Sequence, residues 1–199
     1  SLAFLSLVAL LSLWLMWYFA VDLNFQKAFN PNTPDEFGQD VKVVAMSKEG
    51  QLSYQFTSPL MHHIPSQNRT LFSSPVLVLY QLKAPPWTIT AKNGEALLGN
   101  KEIHLQDEVK AVQAKGPRNG VTVINTTSAV IYPDEQIISS QDKVTATRVD
   151  AYVESVGFQG NLNQKILTLL SKVHGIYYSQ NKKQKPVDIV SDKALLNRV

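Results

Sequence analysis

Cysteine is absent from this 199-residue chain. Its absence excludes disulfide bridges and any metal site that depends on thiolate ligands. The chain also lacks the nucleophile elbow G-x-S-x-G, the phosphate-binding P-loop and the zinc-binding pattern H-E-x-x-H. Two of its four histidines, His62 and His63, are adjacent, so in a strand they would point to opposite faces and could not chelate one ion. The sequence therefore predicts no enzyme activity, no metal site and no cofactor.

Clustered positive charge is also scarce. The net charge is +3, and apart from Lys182, Lys183 and Lys185 the basic residues are scattered along the chain. A nucleic-acid-binding surface would gather Lys and Arg on one face or interleave them with aromatic residues. The sequence therefore predicts no nucleic-acid partner.

The first 21 residues contain no charged side chain. A helix of that length would span about 30 Å, the thickness of the hydrocarbon layer of a bilayer. Trp14, Trp17 and Tyr18 lie toward its end and predict an aromatic belt at the lipid–water boundary. We expect a retained single-span membrane anchor over residues 1–21. A cleaved signal peptide fits less well, because a cut after Ala20 would place Tyr18 where a small residue is preferred.

Period-two alternation dominates the chain after a segment at 22–40 that is rich in Pro, Asn, Asp and Gly and reads as a linker. Tyr54 and Phe56, for example, alternate with polar neighbours. Short alternating runs between closely spaced turn signals are typical of all-β sandwiches, rolls and barrels. We expect such a domain over residues 41–180, followed by a tail at 181–199.

A strand–turn–strand pattern recurs within this domain. Its clearest copy is PPWTITAKNGEALL at Pro85–Leu98, and the stretch Asp107–Ala111 resembles Asp142–Ala146 at an offset of about 35 residues. Repeats of this size normally stack, each covering the apolar face of its neighbour. The full repeat unit is a pair of strand–turn–strand elements. A further copy of its first element, DIVSDKALL at Asp188–Leu196, has no second element after it. We predict that this half repeat is either disordered or completed by a neighbouring roll.

The interior of a stacked roll can be a filled core or an apolar groove, and alternation alone leaves both possibilities open. Gly175 favours a gap in one wall where a ligand chain could approach. The residues that alternation assigns to the inward face are Leu52, Tyr54, Phe56, Phe72, Val76, Val78, Ile89, Ile103, Leu105, Val109, Val144, Leu167, Leu169, Val173 and Tyr177.

The order and spacing of several motifs over about residues 1–180 resemble the LptC family of lipopolysaccharide transport. These motifs are PPWTITAKNGEALL, then IHLQDEVKA, then TTSAVIYPDEQIISSQDKV, then GFQGNLNQ. The most specific parts are the Pro-x-Trp-x-Ile-x-Ala run at Pro85–Ala91 and the Gly-Asn-Leu at Gly160–Leu162. One departure is Arg148, which stands where many relatives have a glycine.

The resemblance implies a twisted β-jellyroll in the periplasm of a Gram-negative bacterium, held by a single-pass anchor in the inner membrane. It also implies partners. The ABC transporter LptB2FG would supply lipopolysaccharide, with the anchor beside the LptF and LptG membrane helices and the roll against the LptF periplasmic roll. LptA would receive the lipid at the C-terminal edge. Acyl chains would lie in the groove, where Val41, Phe72, Leu167 and Tyr177 match lipid-facing family positions.

A second hypothesis belongs to another class of protein. The domain would be a membrane-tethered scaffold with a filled interior, and its sheet edges would dock other β proteins by strand pairing.

The tail segment PVDIVSDKALL resembles the opening strand of the related LptA roll, which belongs to the same repeat class.

Overall fold

The computed structural model describes residues 11–17, 35–82, 84–97, 99, 101–116, 120–164, 166–179 and 185–197. The chain divides into two compact units, Ser1–Thr33 and Pro34–Val199. In the first unit the described residues, 11–17, are helical, and Trp14 and Trp17 are exposed. No helix among the described residues has the length and apolarity needed to cross a membrane. Tyr18 and most of the predicted anchor lie outside the described residues.

The described residues of the second unit form β-strands, connecting turns and one short 3-10 helix at Pro65–Gln67, which confirms the all-β prediction. Every strand pairing is antiparallel. The first strand begins within the range predicted as a linker. The strands are β1 Glu36–Met46, β2 Leu52–Ile64, β3 Arg69–Ser73, β4 Val76–Gln81, β5 Ala84–Thr90, β6 Asn93–Leu97, β7 Glu102–Gln113, β8 Thr122–Tyr132, β9 Ile137–Arg148, β10 Ala151–Asn161, β11 Ile166–Tyr177, β12 Val187–Ser191 and β13 Ala194–Asn197.

The strands form one sheet that folds into two layers, the architecture of a β-jellyroll. The sheet order is β12-β11-β10-β9-β8-β7-β5-β4-β2-β3-β6, and the long strands pair through both halves. The C-terminal half of β7, for example, pairs with β5, whereas its N-terminal half pairs with β6. The first layer therefore contains β4, β5 and β12, and the second layer contains β3, β6 and β13. Each long strand crosses from one layer to the other.

The crossing points are kinks in the backbone. Asp107 and Glu108 in β7, Gly157 in β10 and Lys172 in β11 all have positive φ, and the strand register shifts beside each of them. Asp tolerates this conformation better than most residues, and Gly adopts it without strain. The repeat found in the sequence therefore has a structural meaning. Each strand–turn–strand copy is one rung that spans both layers.

The prediction for the C-terminal tail was wrong. β12 pairs with the C-terminal half of β11 in the first layer, and β13 pairs with its N-terminal half in the second layer. The tail therefore forms a rung of this chain's own roll. The sequence interpretation failed because it took one strand–turn–strand copy as half of a unit, whereas a single copy already spans both layers.

The assignment of Val76 and Val78 to the inward face was also wrong. Leu77 and Leu79 of the same strand are fully buried, while the two valines are half-buried on the opposite face. The run VLVLY is apolar at every position, so alternation carries no information on which parity faces inward. The larger leucine side chains bury more apolar area in the core.

The interior beside strands β2 to β7 contains a packed core. Phe56 on the first layer meets Phe72 on the second edge to face, with ring centroids 4.6 Å apart. An aromatic pair in this geometry contributes about 0.5–1.5 kcal/mol beyond its buried area. Around this pair, Leu77, Leu79 and Leu105 are excluded from solvent. This packed half fixes the spacing of the two layers.

Candidate functional site: an apolar cavity between the layers

An open space lies between the two layers beside the packed core, and its walls reach from β2 to β12. A cavity of about 1310 Å³ lies between the layers. This volume exceeds the range of about 300–1,000 Å³ typical of small-molecule pockets. Its lining includes Trp87 and Ile124 from the first layer and Ile138, Phe158 and Leu167 from the second. The cavity can therefore hold a ligand larger and more apolar than most metabolites.

A single row of cross-strand partners forms the cavity wall in the first layer. Each residue of the row is the direct register partner of the next, and all of them line the cavity. We call this row the apolar ladder, and it consists of Ile89, Ala111, Ile124, Ala146, Val153, Gly175 and Ile189. Adjacent strands lie about 4.8 Å apart, so its six steps cover about 29 Å across the sheet.

Small side chains in the ladder keep the space open. Ala111, Ala146 and Gly175 occupy positions equivalent to Leu77, which fills the packed half in the same layer. A Cβ atom added at Gly175 would meet Val153 Cγ2 at 3.7 Å, an ordinary van der Waals contact. The prediction that Gly175 lies in a wall of the interior with space beside it is confirmed.

Three glutamines form hydrogen bonds beside the cavity, and two of them join the layers. Gln81 donates from Nε2 to the Leu162 carbonyl at 3.0 Å, and Gln136 donates to the Tyr80 carbonyl at 3.0 Å. Gln113, which is 2% exposed, donates to the Pro85 carbonyl at 3.0 Å and to Gln81 Oε1 at 3.3 Å. We call Gln81, Gln113 and Gln136 the glutamine latch. The bonds of Gln81 and Gln136 connect the first layer to the second, and Gln113 bonds Gln81 from within the first layer.

Charged groups lie at the rim of the cavity. The guanidinium of Arg148 pairs with Asp150 through both Nε and Nη2, the second contact measuring 2.9 Å, and remains about one-third exposed. Arg148 therefore lines the cavity at its rim. Asp134 also lines the cavity. Burial, and secondarily this carboxylate, raises the pKa of Tyr54, which stays neutral at physiological pH.

The structure distributes the predicted groove residues among several environments. Ile89, Leu167 and Tyr177 line the cavity, as does Leu52 from the wider inward set. Val41 and Val76 line a separate recess of about 380 Å³, and no residue of the buried core cluster lines it. Tyr54 packs against the core from a half-buried position. The residues buried in the core cluster are Phe56, Phe72, Ile103, Leu105, Val109, Val144, Leu169 and Val173.

Sequence reasoning missed most of the cavity wall. Ala111, Ile124, Ala146 and Val153 were not on the predicted list, although all four belong to the apolar ladder. No local signal marks them, because alanine and valine at alternating positions are equally consistent with a packed core. Only the pairing of strands distant in sequence brings them into one row.

A two-layer β roll with an apolar cavity between its layers defines this chain as a β-jellyroll with space for a lipid-sized ligand. The family described as "Lipopolysaccharide-assembly, LptC-related" matches residues 5–179, and the chain belongs to this LptC family. The lipopolysaccharide export system protein LptC of Escherichia coli K12 is 28% identical over 162 residues, covering 81% of this chain and 84% of that protein. The LptC protein of Haemophilus influenzae is 24% identical over 165 residues, covering 74% and 78%.

Proposed function

We propose that this chain takes part in lipopolysaccharide export by holding the acyl chains of the lipid in the cavity between its layers. The observation that carries the proposal is the apolar ladder, a continuous strip from Ile89 to Ile189 with open space above it. Membership in the LptC family supports the same assignment, since the relatives in Escherichia coli and Haemophilus influenzae are named as lipopolysaccharide export proteins.

The proposed path follows from the family resemblance. LptB2FG in the inner membrane would deliver lipopolysaccharide, and LptA would receive it. Residues 1–21 would anchor the chain in the inner membrane beside LptF and LptG, with Trp14, Trp17 and Tyr18 at the lipid–water boundary. The domain from Pro34 onward would lie in the periplasm. The chain would act without chemistry of its own, and ATP hydrolysis by the transporter would set the direction.

Passive transfer is consistent with the apolar character of the cavity. Burial of apolar surface contributes about 25 cal/mol per Å² wherever it occurs. An acyl chain that moves from one apolar groove to the next therefore changes its free energy little. The sugars would remain outside, near the charged rim formed by Arg148, Asp150 and Asp134.

Two charge insertions at matched positions test the cavity assignment. Leu167→Glu places a carboxylate in the cavity wall, whereas Val78→Glu places one at a half-buried position on the outer face. We expect the first variant to lose lipopolysaccharide binding and the second to keep it, because an unpaired charge is costly only where it is desolvated. Both variants should retain a cooperative unfolding transition. Equal lipid binding by the two variants would refute the cavity assignment.

The packed N-terminal half favours a second candidate, a scaffold whose edges dock other β proteins. Phe56, Phe72 and their neighbours leave no space for a ligand there. Under this hypothesis both Glu variants would bind partner proteins normally, and lipopolysaccharide would bind neither variant nor the unmodified chain.

A further inference from the structure

The last rung of the roll differs from the others in how it is held. The family match ends at residue 179, so β12 and β13 lie beyond it. Together they pair with nine of the twelve residues of β11, five in the first layer and four in the second. Without this rung, β11 would be a long edge strand with unpaired backbone groups, which is a template for pairing with another chain.

Few of the described side chains of this rung are buried, so among them backbone pairing contributes most of its attachment. Val187, Ile189, Val190 and Leu195 are 52%, 53%, 81% and 65% exposed. Ordering the segment costs conformational entropy that this small apolar burial does not offset by itself. The rung is therefore held by few side-chain contacts and can exchange with a competing strand.

The side-chain contacts that do exist define what the edge of β11 recognises. His174 on β11 bonds Asp188 of β12, with 2.8 Å between Nε2 and Oδ1, and Ile189 lies opposite Gly175 in the apolar ladder. In the second layer, Ala194 packs against the core opposite Leu169. The edge therefore fits an antiparallel segment with a carboxylate, then an apolar residue, then a kink, then a small residue.

The outer side of the β12–β13 rung has features that are poorly suited to strand pairing. Its two strands contain only five and four residues, and a break at Asp192 and Lys193 separates them. Pro186 precedes the first strand and Asp188 lies within it. Short length, charged residues and proline are the devices by which natural sheets blunt an edge. The outer side of this rung is therefore short and interrupted, unlike β11.

We propose that the β12–β13 rung is an exchangeable cap on a docking edge formed by β11. The partner that displaces it is a strand–kink–strand rung of another β roll with the same residue pattern, which under the proposed function is a rung of LptA. The inference rests on that function for the identity of the partner, but not for the existence of the cap. Because only the uncapped fraction binds, the cap lowers the apparent affinity for the partner.

A reversible disulfide tests the cap in the full-length chain. Thr168 and Leu195 are direct register partners on β11 and β13, and directly opposed residues in antiparallel strands lie within disulfide range. The chain has no other cysteine, so Thr168→Cys/Leu195→Cys introduces the only two thiols. Gln159→Cys/Thr168→Cys is the matched control, because it links β11 to β10 and leaves the outer edge unchanged.

We expect the oxidised Thr168→Cys/Leu195→Cys protein to bind purified LptA at least about tenfold more weakly than its reduced form, with binding restored by reductant. The oxidised control should bind as the unmodified chain does. Equal binding by the oxidised and reduced forms would overturn the proposal, because LptA would then pair with a permanent last rung.

Loosening the cap should have the opposite effect. Asp188→Ala removes the contact with His174 and should strengthen LptA binding, whereas weaker binding would mean that the rung is itself the docking platform. If LptA binds none of these proteins, the proposed partner is wrong, and amide hydrogen exchange then decides about the cap. Exchange at residues 187–197 faster than in β10 would support a removable cap, and equal protection would overturn it.

Discussion

Filling the cavity at Gly175 should stabilise the protein and impair its function at the same time. Gly175 lies in the apolar ladder between Val153 and Ile189, and a Cβ atom there would have ordinary contacts only. The Cβ atom that Gly175→Ile introduces would therefore fit the strand without displacing its neighbours. Its side chain would project into the space that we propose for acyl chains.

The size of the stability change follows from two contributions. Glycine in a strand costs about 0.5–1 kcal/mol relative to alanine. Each further buried CH₂ contributes about 0.8 kcal/mol, and the added side chain would be covered only in part, so we expect a net gain of about 1–2 kcal/mol. Each kcal/mol of that gain raises the Tm of a domain of this size by about 2–4 °C.

Thermal unfolding and lipopolysaccharide binding should be measured on the same samples, with Val78→Ile as the control. Val78 is an outward residue of the same layer, so its substitution adds a methylene without entering the cavity. We expect Gly175→Ile to have a higher Tm and weaker lipid binding, and the control to change neither appreciably. Unchanged lipid binding by a stabilised Gly175→Ile protein would refute the reasoning.

Three further perturbations test other parts of the structure. Gln113→Leu removes the donor to the Pro85 carbonyl and should cost about 1–3 kcal/mol, measured by denaturant unfolding; no loss would mean that this buried bond between β7 and β5 does not stabilise the fold. Phe72→Ala should lower the free energy of unfolding by about 3–5 kcal/mol because it leaves a cavity in the packed core. A smaller loss in the same assay would mean that Phe72 lies beside open space. The hydrogen bond from Lys143 lowers the pKa of Glu154 below its ordinary value of 4.5. The contribution of this pair to the free energy of unfolding is therefore present above the pKa of the unfolded chain, and it is lost as the pH falls through the pKa of the folded protein. Glu154→Gln should accordingly lower Tm at neutral pH but not in strong acid, and a pH-independent difference would contradict this.

The class of fold could be predicted from the sequence because its signal is local. Alternation in β2 and β7 and turn residues between runs are visible in a single window of sequence. The match between Asp107–Ala111 and Asp142–Ala146 has a local cause too, since both stretches lie where the strand register shifts and contain the inward residues that follow. These features need no knowledge of which strands are neighbours.

The cavity and the last rung could not be predicted in the same way, because both depend on pairings between distant strands. The apolar ladder collects one residue from each of seven strands, and its openness results from Ala111, Ala146 and Gly175 falling into one row. The tail sequence resembles the other rungs, but only its register with β11 reveals that it completes one. In β4, Leu77 and Val78 are both apolar, so only the structure shows which of the two faces inward.

Site-specific photo-crosslinking tests the central claim most directly. A photo-reactive amino acid would replace Leu167 in the cavity wall or Val78 on the outer face, and the chain would be irradiated with purified lipopolysaccharide. We predict that the probe at Leu167 captures the lipid and that the probe at Val78 does not. Capture at Val78 with none at Leu167 would contradict the account, because the lipid would then bind outside the roll.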